Sequence, residues 1–288
     1  MLSAKTETTP QRLIASLPPG YLALMPGAVH QARTFGAKVV TLLPGNPERG
    51  RPAIQGVALL FDAEMGALVA IVDGAEVTLR RTAAASAAAT RRLARPDAET
   101  LGVLGAGPQA LAHIEAIARV RPLSEVMTWG RSPDRTETLA AAARELGHPT
   151  RTVRSAEEAA GAHIVCTVTG SSDPVIKGSW LRPGAHVNLV GAHSRTAREL
   201  DTQGVMLAKV YVDCFDACMA EAGDLLIPIA EEAIGTDHIR GEVGQVIARQ
   251  IPGRTTASEI TLFKSVGHAV EDLVAAEAIY ATKAAMVA

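Results

Sequence analysis

The segment that most constrains the fold is ETLGVLGAGPQALAH, residues 99–113. Its residues Gly105, Gly107 and Ala110 match the pattern G-x-G-x-x-[GA], directly after the strand-like run TLGVL and before the helical run QALAHIEAIARV. In a dinucleotide-binding loop the first glycine permits a tight turn, the second lets the backbone approach a pyrophosphate, and the third small residue lets helix and strand pack closely. The pyrophosphate then lies at the helix N-terminus, where unpaired N–H groups favour an anion.

Small residues can also make a tight turn without any ligand. The strand before the loop, the helix after it and a second strand at EVMTW nevertheless favour a dinucleotide cofactor. The predicted cofactor contacts of this loop are Gly105, Ala106, Gly107, Pro108 and Gln109.

The chain changes character near residue 95. Before it, β-rich runs such as AKVVTLL and GVALLFD are separated by turn residues, and after it apolar runs of strand length alternate with helical patterns. Such alternation is typical of a doubly wound parallel sheet. We therefore predict an α/β protein in which residues 96–267 form a Rossmann domain and residues 1–95 with 268–288 form a smaller β-rich domain. The run RTAAASAAATRRLA predicts a connecting helix, and the run from Phe263 to Ala288 also has helical spacing.

Composition favours a small-molecule partner. The 28 basic and 30 acidic side chains leave a formal net charge of −2, which creates no field to gather nucleic acid or an anionic membrane. The three cysteines are too few for a disulfide framework and lack the further ligands of a zinc site, so no metal is predicted. The first twenty residues contain no apolar run of signal-peptide length, and no later segment approaches a membrane span, so a cytoplasmic location is expected.

The end of the second strand of the Rossmann pattern indicates which coenzyme is bound. An NAD site usually carries Asp or Glu there, whereas this chain reads WGRSPDR. Arg131 and Ser132, with Arg135, could instead bind a 2′-phosphate through charge-assisted hydrogen bonds. Alternatively, Arg131 is solvated surface and Ser132 caps the next helix, and both roles can coexist. NADPH is therefore the predicted coenzyme, with NADH possible.

Three ordered segments resemble the ornithine cyclodeaminase/mu-crystallin family. They are RTAAASAAATRRLARPDAETLGVLGAGPQALAH, VNLVGAHSRTARELD and TLFKSVGHAVEDLVAAE, and the resemblance runs from about Arg12 to the C-terminus. It implies a Rossmann domain beside a substrate domain that dimerises through its sheet, hence a homodimer. It also implies hydride transfer at the carbon next to a carboxylate in small 2-amino, 2-keto or 2-imino acids. Family members usually have more residues ahead of Arg12, so part of the first element of the substrate domain is expected to be absent.

The resemblance further implies a clamp for the substrate carboxylate, made by Arg12, Lys38 and Arg81. A carboxylate that leaves water must regain charge-assisted hydrogen bonds, and a guanidinium supplies two in one plane. Taken alone, Arg12 could be an exposed residue near a frayed terminus, and Lys38 could point outward from its strand. Arg80 competes with Arg81, and the family pattern, which places the arginine directly before Thr-Ala-Ala, selects Arg81.

Two departures from the cyclodeaminase pattern bear on the activity. Those enzymes have an acid just after the VGG of a strand turn and a glutamate just before MP, where this chain has His193 and Ala23. Without these carboxylates a second amino group has little to bind it. The pattern is more similar to the cyclic-imine reductases of the family, which reduce pyrroline-2-carboxylate and piperideine-2-carboxylate to L-proline and L-pipecolate.

His193 is then a candidate to orient the ring nitrogen or to relay a proton, with water as the alternative proton source. Two other activities stay open: an ornithine cyclodeaminase that uses bound NAD, and a crystallin-like protein that binds NADPH without turnover.

Further cofactor contacts are predicted outside the glycine loop. Thr82 either contacts the cofactor phosphate or starts the alanine-rich helix, and Thr169 closes a strand at the edge where open α/β sheets bind ligands. Val190 is assigned to the same set of contacts. The resemblance implies that Ser265 and Gly267 approach the nicotinamide.

Overall fold

The chain divides into two units in a computed structural model that describes residues 7–29 and 32–287. The first unit runs as far as Arg81 and resumes at Gly267, and the second unit spans Thr82–Val266. The sequence places the corresponding boundaries after residues 95 and 267, so the first boundary differs.

The difference arises because one helix, Gly74–Leu93, contributes to both units. Val77, in its first turns, packs in the core of the first unit. Ala89 and Leu93, in its last turns, pack in a core of the second unit. An alanine-rich run without a turn signal gives no indication that the contacts change partway along it.

The first unit contains a six-stranded antiparallel sheet. Its strands and the following helix are β1 Glu7–Thr8, β2 Leu13–Leu17, β3 Gly20–Val29, β4 Thr34–Leu42, β5 Ile54–Asp62, β6 Leu68–Asp73 and α1 Gly74–Leu93. The strand order is β1-β3-β4-β5-β6, and β2 pairs with β3 as well. The C-terminal helix Ala269–Val287 packs on β3, β4, β5 and β6.

The second unit is an eight-stranded parallel sheet with the order β13-β12-β14-β11-β10-β7-β8-β9. Its elements are β7 Thr100–Leu104, α2 Pro108–Ala118, β8 Glu125–Trp129, α3 Pro133–Glu145, β9 Thr150–Thr152, α4 Ala156–Ala160, β10 Ile164–Thr167, β11 His186–Leu189, α5 Thr202–Leu207, β12 Ala208–Val212, α6 Phe215–Glu221, α7 Gly223–Ala230, β13 Ile239–Glu242, α8 Val243–Ile247 and β14 Ile260–Lys264, and the helix Ala269–Val287 is α9. The predicted α/β fold class, a doubly wound sheet plus a smaller β-rich unit, is confirmed. Within the described residues, no helix is both long and apolar enough to cross a bilayer.

The prediction of helix from Phe263 onward is wrong at its start. Residues up to Lys264 form β14, which lies between β11 and β12, and α9 begins only at Ala269. A central parallel strand is buried on both faces, so its apolar run lacks the alternation that distinguishes a half-buried strand from a helix.

The strand register places the ligand-binding edge of the second unit. Leu104, Thr167, Leu189, Lys264 and Val212 are neighbours across β7, β10, β11, β14 and β12, so the carboxyl ends of these strands share one edge. The strand order reverses between β7 and β10. Open α/β sheets bind ligands at this kind of switch point.

The antiparallel sheet of the first unit is apolar on both faces. Leu60 and Ala58 pack on one face with Leu273 and Ala276 of α9. The opposite face carries cross-strand rows of apolar side chains, in which Phe35 stacks on Phe61 with ring centroids 5.7 Å apart. The other rows are Leu24, Val39 and Val57, and Pro26, Ala37, Leu59 and Ile71. We call these nine residues, Phe35 and Phe61 included, the outer sheet face.

Replacing Gly102 with Ala is expected to destabilise the second unit. A Cβ at this position of β7 would lie 1.9 Å from the carbonyl oxygen of Ala159 in α4, and overpacking of this kind typically costs about 1–3 kcal/mol. Gly161→Ala is the control, because its Cβ would lie 3.5 Å from the nearest atom and should change the free energy of unfolding by less than about 0.5 kcal/mol. Urea unfolding followed by circular dichroism measures both, and equal stabilities would contradict the packing of β7 on α4.

Candidate functional site

The glycine loop follows β7 and leads into α2. Gly105 has a φ of 123°, and a Cβ on it would lie 2.7 Å from the carbonyl oxygen of Val168, so this turn requires glycine. Gly107 is the N-cap of α2, has no side-chain cap, and has no atom within 4 Å of the position that a Cβ would take. Pro108 occupies the first turn, and Ala110 is completely buried. The backbone at the start of α2 is thus open to a ligand on the Gly107 side.

A cavity of about 270 Å³ adjoins this loop. It is lined by Gly107, Pro108 and Leu111 on one side and by Arg135 and Leu139 of α3 on the other. Ala106 of the predicted set also lines this cavity, and the carbonyl oxygen of Gln109 accepts a hydrogen bond from Nδ1 of His113 at 2.7 Å. The unfilled space at Gly107 and this cavity fit a dinucleotide whose pyrophosphate lies on α2.

The end of β8 lacks an acidic side chain. Arg131 and Arg135 are exposed, and Ser132 is the N-cap of α3, where its Oγ accepts from the N–H of Arg135 at 3.5 Å. Ser132 therefore caps α3, as the second interpretation predicts. Its hydroxyl proton is not used in this contact and can still be donated to a phosphate. The guanidinium of Arg135 lines the cavity, and a positive charge there suits a phosphate on the adenosine ribose.

The other predicted cofactor residues lie in different surroundings. Thr169 and Val190 follow β10 and β11 at the ligand-binding edge, and Ser265 follows β14, where its hydroxyl donates to Asp213 at 3.0 Å. Gly267 belongs to the first unit and has a φ of 86°. Thr82 is buried within α1, so the alternative that it starts the helix is wrong, because α1 begins at Gly74.

Sequence reasoning missed a buried carboxylate behind this edge. Glu199 is completely buried and accepts hydrogen bonds from Thr167, Thr169 and Gly191. Burial raises the pKa of its carboxyl group, with the charge of Asp224 as the next cause. The segment RELD contains Glu199, but a glutamate beside an exposed loop gives no sign in the sequence that it will be buried.

The first unit brings the three predicted clamp residues into one cluster with two acids of α9. Lys38 Nζ lies 2.7 Å from Asp272 Oδ2 and donates to Thr78 Oγ1 at 3.2 Å. Arg81 contacts both acids, with Nε 2.9 Å from Asp272 Oδ1 and Nη1 2.8 Å from Glu271 Oε2. We call Arg12, Lys38, Arg81, Glu271 and Asp272 the ionic cluster.

Arg12 joins this cluster through Gly267. Its Nη2 donates to the carbonyl oxygen of Gly267 at 2.8 Å, and a Cβ on Gly267 would lie 2.5 Å from the guanidinium of Arg81. The competing arginine, Arg80, is exposed and pairs with Glu76 on the surface of α1. The structure thus places Arg81, and not Arg80, with Lys38.

Burial determines the electrostatics of Lys38. The residue is 2% exposed, and burial, followed by the charge of Arg81, lowers the pKa of Lys38 to about 8 against the opposing effect of Asp272. Among the described residues Lys38 has two partners, Asp272 and Thr78, so one of its three N–H donors is available to a ligand. Such a donor in a dry site suits a carboxylate.

His193 and Ala23 lie where the cyclodeaminase pattern has carboxylates. His193 is exposed in the loop after β11, and its Nδ1 lies 3.0 Å from the carbonyl oxygen of Gly191. Because a carbonyl only accepts, Nδ1 carries a proton in this contact. Ala23 is buried in β3. Within the described part of the chain, no group of three His, Cys, Asp or Glu residues is arranged to hold a metal ion.

Comparison with known proteins identifies the family. The sequence model of the ornithine cyclodeaminase/mu-crystallin family matches residues 3–285. The chain belongs to this family. The ketimine reductase mu-crystallin of Mus musculus is 38% identical to it over 262 residues, which cover 91% of this chain and 80% of that protein.

Two solved structures share the fold closely. One is Thermococcus litoralis Δ1-pyrroline-2-carboxylate reductase in complex with NADH and L-proline, with a TM-score of 0.93, 36% identity, and coverage of 96% of this chain and 86% of that chain. The other is an archaeal alanine dehydrogenase dimer with bound NAD, with a TM-score of 0.93, 29% identity, and coverage of 98% and 87%. Both are nicotinamide-binding proteins named for reactions at a carbon that carries nitrogen and a carboxylate.

Proposed function

We propose that the protein is an NAD(P)H-dependent reductase of cyclic imino acids, which converts pyrroline-2-carboxylate or piperideine-2-carboxylate to L-proline or L-pipecolate. The observation that carries this proposal is the ionic cluster, in which the buried ammonium of Lys38 keeps one N–H donor that suits a small carboxylate. The relatives named for reduction of ketimines and of pyrroline-2-carboxylate support it.

The ionic cluster would bind and orient the carboxylate of the substrate. Lys38 supplies one N–H donor, and the guanidinium of Arg81 lies in the same group, fixed by Glu271 and Asp272. The pre-existing ion pairs hold the two cations in place before the ligand arrives, which lowers the entropic cost of binding. Because C2 is bonded to the carboxylate, binding of the carboxylate also holds C2 in place within the site.

A bound nicotinamide would supply the hydride to C2. The glycine loop with Arg131, Ser132 and Arg135 would hold the coenzyme's pyrophosphate and adenosine ribose. His193, on the loop after β11, is the candidate to orient the ring nitrogen or to deliver its proton, and water is the alternative donor.

A direct assay distinguishes this reaction from cyclodeamination. We expect loss of NADPH absorbance with pyrroline-2-carboxylate or piperideine-2-carboxylate, and no ammonia release from L-ornithine. An imidazole at position 193 offers no negative charge to hold the second ammonium of ornithine. Ornithine deamination at a comparable rate would refute the reductase assignment, and coenzyme binding without any turnover would favour a crystallin-like binding protein.

The lowered pKa of Lys38 predicts an alkaline limit to substrate capture. The charged form of Lys38 exists below its pKa of about 8, so kcat/KM should decline as the pH rises above that value. Bound carboxylate stabilises the ammonium, so the decline in kcat should begin at higher pH than the decline in kcat/KM. Lys38→Arg remains charged and should lose this alkaline decline, whereas Lys38→Met should lower kcat/KM by about tenfold to a hundredfold below the pKa of Lys38. This deficit should narrow at higher pH, because the wild-type lysine then loses its charge as well. A wild-type kcat/KM that is unchanged from pH 7 to about 10 would contradict this role.

Arg131 predicts a preference for NADPH over NADH. Removing a charge-assisted contact to a 2′-phosphate typically changes affinity by about tenfold or more, and an introduced acid would favour the ribose hydroxyls of NADH instead. Arg131→Asp should therefore reverse the order of the two dissociation constants measured by calorimetry. Arg182→Asp, an exposed arginine ahead of β11 at the opposite edge of the sheet, is the control and should leave the order unchanged. Equal affinities in the wild type would remove the basis for this preference.

We also propose that two chains associate through the outer sheet face. Ile71 is 64% exposed and Phe35 is 39% exposed, although apolar patches of this kind are usually covered. A second copy is the proposed occupant, because the archaeal alanine dehydrogenase of the same fold is a dimer.

Ile71→Glu and Phe35→Glu are expected to convert a dimer to monomers in analytical ultracentrifugation, because the introduced charges would be buried without partners. Leu146→Glu, at a leucine of the second unit that is 52% exposed, is the control and should leave the dimer intact. A wild-type monomer at micromolar concentration would refute the association.

A cytoplasmic location and the lack of nucleic-acid or membrane partners stay predictions of the sequence. The nearly balanced charge and the proposed use of a soluble coenzyme with a small acid support them.

A further inference from the structure

The four hydrogen bonds that Glu199 accepts join two strand ends. Oε1 accepts from the main-chain N–H and the hydroxyl of Thr169, both at 2.8 Å. Oε2 accepts from the hydroxyl of Thr167 at 2.8 Å and from the N–H of Gly191 at 2.6 Å. Since Thr169 follows β10 and Gly191 follows β11, one carboxylate fixes the start of both loops.

Glu199 is itself fixed by a second buried carboxylate. Asp224 Oδ1 accepts from the N–H groups of Glu199 and Leu200 at 2.7 Å and 3.2 Å. Asp224 Oδ2 lies 2.9 Å from Lys264 Nζ, which also donates to the carbonyl oxygen of Ala192 at 2.5 Å. Because Lys264 ends β14, the ends of three adjacent strands share one network.

This network of buried charges contributes little net stability. Glu199, Asp224 and Lys264 are all 0% exposed, and removing charges from water costs more than an apolar cluster of similar volume. Its benefit is geometric, because a carboxylate with four donors permits only one arrangement of the loops that supply them. The loops are also tightly packed, since a Cβ on Gly191 would lie 2.0 Å from the carbonyl oxygen of Thr169.

The strand order indicates which part of the coenzyme these loops face. In a doubly wound sheet the dinucleotide lies across the switch point, with its adenosine half over the strands that follow the glycine loop. Here those strands are β8 and β9, so the nicotinamide half falls to the side of β10, β11 and β14. The network lies entirely on this second side.

We propose that Glu199 is a positioning residue for the nicotinamide half of the coenzyme. It acts through the loops after β10 and β11 and touches neither coenzyme nor substrate. This role rests on one part of the proposed function, the binding of a nicotinamide coenzyme.

Glu199→Gln tests the proposal, because glutamine keeps the size but replaces one acceptor oxygen with an NH₂ group that cannot accept from Thr169 or Gly191. Calorimetry would compare the dissociation constants of NADPH and of 2′,5′-ADP, which carries the adenosine half alone. If NADH binds more tightly, NADH and ADP replace them. We expect the constant for the whole coenzyme to rise about tenfold to a hundredfold, as expected for a lost charge-assisted hydrogen bond, and the constant for the fragment to stay unchanged.

Two further variants separate positioning from general destabilisation. Val165→Ala, a buried truncation in β10, should lower Tm and leave the ratio of the two constants unchanged. Thr167→Val removes one of the four hydrogen bonds, and its completely buried side chain reaches no ligand. It should shift the ratio in the same direction by a smaller factor, and it provides the test if Glu199→Gln does not fold.

Equal weakening of coenzyme and fragment in Glu199→Gln, or an unchanged ratio in the folded variants, would overturn the proposal. A wild-type chain that binds coenzyme but reduces no imino acid would refute the proposed function alone, because this comparison measures binding. A wild-type chain that binds neither coenzyme would overturn both.

Discussion

The ion pair between Lys38 and Asp272 is the interaction on which the candidate substrate site depends. It joins β4 to α9 inside the first unit, and Arg81 adds α1 through the second oxygen of the same carboxylate. A buried ammonium without a counter-ion would lose its proton or draw in water. Asp272, with Glu271 beside it, keeps both cations charged and in position without a ligand. The same contacts that fix three elements of the unit therefore also hold the proposed binding groups in position.

The second unit uses buried charge for a different purpose. Its network holds two carboxylates, Glu199 and Asp224, against one cation, Lys264, and the remaining acceptor capacity is taken by backbone N–H and hydroxyl groups. In the ionic cluster of the first unit the cations outnumber the acids, and Lys38 keeps one N–H donor beyond its contacts with Asp272 and Thr78. One network thus fixes protein loops internally, whereas in the proposed function the other presents charge to a ligand. Both depend on exclusion of water, which strengthens short electrostatic contacts.

The sequence predicts what local chemistry determines and fails where distant packing decides. The glycine loop is readable because its turn and helix start lie within a few residues of each other. The clamp follows only from the family resemblance, since Arg12, Lys38 and Arg81 are far apart in the chain and each alone suits a solvated surface. Asp272 lies in a helical pattern where an acid is usually a surface residue, and Glu199 follows an exposed loop. The sequence around either residue therefore gives no sign of its buried partners. The fold class is confirmed, whereas the boundary within α1 depends on contacts that its alanines do not specify.

The acids of the ionic cluster also suit the charge that develops during imine reduction. Carbon accepts a hydride more readily when the imine nitrogen is protonated, and the resulting iminium is a cation. A clamp made of cations alone would repel it. Glu271 and Asp272 offset two of the three basic groups in the cluster, and the substrate carboxylate offsets the third, so the iminium meets no net positive charge from these named side chains. A second ammonium on the substrate would need its own counter-ion, and His193 does not provide one. The charge balance therefore favours a substrate with one carboxylate and one nitrogen, whatever the size of its ring.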